Sequence, residues 1–76
     1  MLLKDLEIIA EARVSGVGVS IGDRVCFKSD VEQCGIIVKV AGNILTLKAP
    51  SDGGFEGGYI GGNEYTTVDA RECWID

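Results

Sequence analysis

The chain has no histidine, a single proline and no pair of cysteines at Cys-x-x-Cys spacing. Without histidine it lacks the commonest general base and the commonest zinc ligand. No apolar run approaches the ~20 residues that a membrane-crossing helix needs. Asp5 and Glu7 interrupt the stretch that a signal peptide would keep apolar, so none is expected. No basic stripe is visible of the kind that phosphate neutralisation demands of a nucleic-acid binder. Seventy-six residues leave room for one domain, 1–76. A chain of that size buries only about 60–65% of its unfolded surface, so its core is small and its stability margin thin. Its composition, 46% hydrophobic and 25% charged, excludes a disordered or fibrous chain.

The charge is unevenly spread. Residues 1–49 hold six basic and six acidic side chains and balance to zero. Residues 50–76 hold Asp52, Glu56, Glu64, Asp69, Glu72 and Asp76 against Arg71 alone, so the whole net charge of −5 lies in the last third. Net charge speaks first to solubility and to the sign of a partner's surface.

Cys26, Cys34 and Cys73 are an odd number at irregular spacing. A small secreted scaffold normally carries an even set, so three free thiols in a reducing, cytoplasmic setting are expected. A structural zinc site wants four ligands with at least one close pair, and no metal or cofactor is expected here.

Residues 2–13 show a helical period. Leu2, Leu6, Ile9 and Arg13 fall near one stripe, and Asp5 and Glu7 suit the positive end of a helix dipole. A helix over 2–13 follows, ended by Gly16, although a strand over 8–14 competes with it. Beyond Gly16 the period becomes two. Val17, Val19 and Ile21 alternate with small residues, Gly22-Asp23 signals a turn, and Val25 and Phe27 share one face of a strand. Polar residues 29–33 suggest a loop, and the β-branched run 35–40 a central strand. Gly42-Asn43 is a two-residue hairpin connection, and Ile44–Lys48 is the return strand that Pro50 stops. Residues 53–64 repeat a Gly-Gly-x-x unit three times and use six of the eleven glycines. At ~1 kcal/mol per glycine this segment is no helix interior, and a mobile loop or a wide, irregular hairpin over 51–64 is expected. Strand character resumes at 64–68. Asp69 then caps one helical turn, and Cys73-Trp74-Ile75 closes the chain as a short strand.

In order, Gly22-Asp23-Arg24-Val25, Gly35-x-Ile37-Val38-x-Val40-x-Gly42-Asn43, Leu45-x-Leu47, a long loop, Tyr65-x-Thr67-Val68, a one-turn helix and an apolar last strand resemble the SH3-like small β-barrels. Within them the pattern is similar to the KOW-type and Tudor-type members. The resemblance covers residues 17–76. It implies a mainly β, five-stranded barrel, to which the short N-terminal helix is an addition. A core of Val25, Phe27, Ile37, Val40, Leu45, Leu47, Val68 and Trp74 is expected. KOW-type domains are generally basic and often bind RNA, whereas this chain is acidic where the ligand-facing loops belong.

Nothing in the residues builds an enzyme. Cys34 and Cys73 have no histidine to activate them, and Glu64, Asp69 and Glu72 suit a solvated rim better than a metal or acid–base site. The glycine-rich loop offers Phe55, Tyr59 and Tyr65 as aromatic anchors beside Glu56 and Glu64, the residue types that seat one protein on another. The same aromatics could instead fold back onto the barrel. The leading expectation is a non-enzymatic module that binds another protein through Phe55, Glu56, Tyr59, Glu64 and Tyr65. One alternative is a KOW-like nucleic-acid or ribonucleoprotein binder whose Arg24, Lys28, Lys39 and Lys48 gather on one face. The other is a structural subunit that forms a homo-oligomer through residues 2–13.

Overall fold

A computed structural model describes residues 12–75. The helix expected over 2–13 lies outside the described residues except at its end, and there the competing strand is what forms. Ala12–Val14 (β1) pairs antiparallel with Val17–Val19 (β2), Val14 opposite Val17. The connection is Ser15-Gly16, both with positive φ, at 53° and 81°. Two such residues make the turn whose twist matches a hairpin. Gly16 thus takes the left-handed conformation that a helix end also requires, but inside a β-turn.

Five further strands form one antiparallel sheet. They are Arg24–Lys28 (β3), Glu32–Ala41 (β4), Ile44–Lys48 (β5), Tyr65–Asp69 (β6) and Trp74–Ile75 (β7), in the order β6-β5-β4-β3-β7. The expected turn at Gly22-Asp23 is built from the Asp23 amide donating to the Ser20 carbonyl at 3.0 Å, while the Ser20 amide donates to the Asp23 carboxylate at 2.9 Å. The ladder of β4 with β5 shifts between Ile37 and Lys39. That bulge absorbs Val38 and lets Ile37 and Val40, an odd and an even position, both face inward against Leu47 and Leu45. The expected helical turn is a 3-10 turn, Ala70–Glu72, with the Asp69 carboxylate accepting from the Arg71 amide. It is tied to the β4–β5 hairpin by the Ala70 amide on the Asn43 carbonyl at 2.6 Å.

Val25, Phe27, Ile37, Leu45 and Leu47 form the core as expected, with Val40 and Val68 partly buried against it. Three differences stand out. Trp74, expected inside, lies on the outer face beside Cys26 and is 36% exposed. Strand β4 begins at Glu32, two residues into the expected loop. Cys26 and Cys34, expected as free thiols, form a disulfide.

The register accounts for the disulfide. The Ile37 amide donates to the Asp23 carbonyl and the Ser29 amide to the Val31 carbonyl, so odd positions of β3 carry the ladder bonds. Cys26 and Cys34 therefore sit directly opposite one another at a non-hydrogen-bonded pair, where side chains approach most closely. Eight residues of sequence separation and an odd cysteine count conceal that proximity. The cytoplasmic setting inferred from three free thiols loses its premise with them. Among the described residues no helix is long and apolar enough to cross a membrane.

Candidate interaction surface

Side chains from residues 29–33 fasten the glycine-rich segment to the rest of the fold. The segment's ends are clasped by the Phe55 amide on the Asn63 carbonyl and the Gly62 amide on the Phe55 carbonyl, both at 2.8 Å. Gln33 then acts as a piece of strand. Its side-chain carbonyl accepts from the Glu56 amide at 2.8 Å, and its side-chain amide donates to the Glu56 carbonyl at 2.9 Å. Next along the chain, the Asp30 carboxylate accepts from the Gly58 amide at 2.6 Å and from the Ser29 hydroxyl at 3.3 Å. These bonds, led by that of Gly58, hold the Asp30 carboxyl below its ordinary value of 3.8. Gly57 has φ 101°, and a Cβ there would run into the Asp30 carboxylate, so a glycine is required where the loop turns under this anchor.

Phe55 anchors the loop from inside. It is 3% exposed and meets Phe27 edge-to-face, with ring centroids 5.7 Å apart at 75°. A Cβ on Gly35 would lie 3.2 Å from the Phe55 ring and 3.0 Å from Leu47 Cβ. The missing side chain at 35 thus makes the seat for Phe55. Of the two expectations for the loop aromatics, folding back holds for Phe55, which is a core residue and offers no surface to a partner.

Tyr59 goes the other way. It is 77% exposed at the loop tip, while its neighbour Ile60 tucks against the core. The two line a groove of about 330 Å³ together with Lys28 and Ser29 at the end of β3, residues 66–69 of β6, and Glu72. The other expected site residues lie elsewhere. Tyr65 is 50% exposed on β6 outside this groove. Glu56 lines a separate hollow with Arg24, Glu32 and Gln33. Glu64 faces Lys48 at 3.9 Å and lines a third, larger hollow beside Pro50 and Ser51. The five expected residues therefore do not converge. The structure groups Tyr59 with Ile60, Thr66, Val68, Asp69 and Glu72. No sequence signal pointed to Asp30, Gln33 or Ile60, because their roles depend on which loop the chain folds against them.

The ladder registers place Arg24, Lys28, Lys39 and Lys48 on the outer face of the sheet. Lys28 is opposed by Glu32 across the β3–β4 ladder, and Lys48 meets Glu64. Among the described residues no group of three or more potential metal ligands forms. Burial, then Asp69 and Glu72, push the Cys73 thiol up to about 11, so it stays protonated at neutral pH.

The Arg71 guanidinium lies 2.6 Å from the Asp69 carboxylate, and its bonds hold that carboxyl down to about 2. A depressed carboxyl contributes stability that is present above its ordinary value of 3.8 and is lost as pH falls through the folded value. Thermal melts between pH 7 and pH 2 are expected to show a decline that Asp69→Asn removes from the window between about 4 and 2. An unchanged acid limb in that variant would disprove the pairing in solution.

Comparison with protein-family models, with curated proteins and with solved structures finds no match for the chain.

Proposed function

We propose that this chain is a small, non-enzymatic module of the SH3-like barrel type that binds another protein through the groove beside Tyr59. The strand order β6-β5-β4-β3-β7 and the 3-10 turn before the last strand support the barrel reading, since they follow the pattern that the sequence resembles. The observation that carries the functional reading is the contrast within the loop. Phe55, Gln33 and Asp30 hold it from three directions, yet its tip displays an almost fully solvated tyrosine over a partly apolar groove. Ordering a loop costs conformational entropy. An aromatic held ready on such a loop binds without that further cost, and aromatics of this kind dominate interface energetics. A net charge of −5 favours a partner with a basic surface and opposes the approach of nucleic acid.

Tyr59→Ala tests this directly. The side chain contributes little to the core, so the melting temperature is expected to stay within a few degrees of wild type. Capture of a protein partner from native extract is expected to fall by about tenfold or more, as for a truncated aromatic anchor. Undiminished capture would remove the groove from the function.

A further inference from the structure

Among the described residues, no strand pairs with the outer side of β6. The Ala49 amide donates to the Glu64 carbonyl and the Ala70 amide to the Asn43 carbonyl, so the even positions of β6 bond inward to β5. Tyr65 and Thr67 therefore turn their amides and carbonyls outward, and no described group meets them. At Asp69 the outward carbonyl accepts from the Cys73 thiol at 3.4 Å, which ends that stretch. Natural edge strands are usually blunted by extreme shortness, a lysine, a proline or a bulge. The opposite edge, β7, is two residues long. β6 is five residues long, carries neither lysine nor proline, and pairs in continuous register. Residues 66–69 also line the groove that Tyr59 overhangs.

Resting on the reading of that groove as the binding site, we propose that its ligand is an extended, basic peptide segment that adds as a strand to the outer edge of β6. Main-chain bonds to Tyr65 and Thr67 supply affinity, and alternate side chains enter the groove beside Tyr59 and Ile60. The charge selects the occupant. Residues 50–76 hold six acids against one arginine; at the groove itself stand Glu72, Asp69 in its pair with Arg71, and Lys28. A cationic strand is steered to such an edge, while a second copy of this chain brings the same −5 and is repelled.

The probe is a labelled octapeptide of alternating lysine and valine, compared with its glutamate–valine counterpart by fluorescence anisotropy and amide NMR. Saturable binding of the lysine peptide is expected, weakened by salt, with the largest shifts at Tyr65 and Thr67. Thr67→Pro removes an outward donor that β5 does not use, so it is expected to keep the fold and weaken binding about tenfold or more. A synthetic chain with an ester in place of the Thr67 amide removes the same donor should the proline variant misfold. No binding at millimolar peptide, equal binding of the glutamate peptide, indifference to loss of the Thr67 donor, or dimerisation of the free protein through this edge would each overturn strand addition. The two proposals fail separately. If Tyr59→Ala abolishes partner capture while Thr67→Pro spares it, strand addition falls and the groove stands; if both spare it, the groove reading falls as well.

Discussion

Phe55→Ala is expected to leave little folded protein at 37 °C. A domain of this length holds about 4–11 kcal/mol in total. Truncating a buried phenylalanine costs about 3–5 kcal/mol, through lost burial and the cavity left behind. The Phe55 ring is wedged between Phe27, Leu47 and the bare backbone at Gly35, all parts of a packed core. The change also releases the loop, because Gln33 and Asp30 grip only the main chain beyond it. Urea unfolding followed by far-UV circular dichroism measures the effect. A midpoint close to wild type would show that the polar anchors hold the loop and that the core closes without it.

Reducing the Cys26–Cys34 bond is expected to be the next largest perturbation. Closing a loop of about eight residues restricts the unfolded chain by about 2.5 kcal/mol in the chain-entropy treatment. At about 4–8 °C per kcal/mol for a domain of this size, the melting temperature should drop by on the order of 10–20 °C with a phosphine reductant. Alkylation of denatured protein should label Cys73 alone before reduction and all three cysteines after it. Labelling of all three without reductant would show that the bond does not form.

The legible parts of this fold are those that local chemistry decides. Alternation placed Val25, Phe27, Leu45 and Leu47 inward, Gly42-Asn43 marked the hairpin, and Asp69 marked its cap. The illegible parts depend on partners distant in sequence. Residues 12–13 fit a helical stripe as well as a strand, and only pairing with Val19 and Gly18 decides between them. Glu32 and Gln33 look like loop because they are polar. In the fold Glu32 is an outward strand residue opposite Lys28, and Gln33 spends its amide on a loop 23 residues away. The glycine repeat showed that no helix forms at 53–64, but not that Phe55 points inward and Tyr59 outward. That choice belongs to the vacancy over Gly35. The cysteine pair was hidden for the same reason, since it follows from a register and not from a spacing.

Gln33 and Asp30 hold the loop through the amides of Glu56 and Gly58 and the carbonyl of Glu56, never through a side chain at 56 or 59. The identity of the displayed residues is thereby uncoupled from the architecture that displays them. Positions 56 and 59 are free to change without refolding, so one scaffold could be retuned from partner to partner by single substitutions. That makes the pair a natural starting point for a library in which everything but the specificity is held constant.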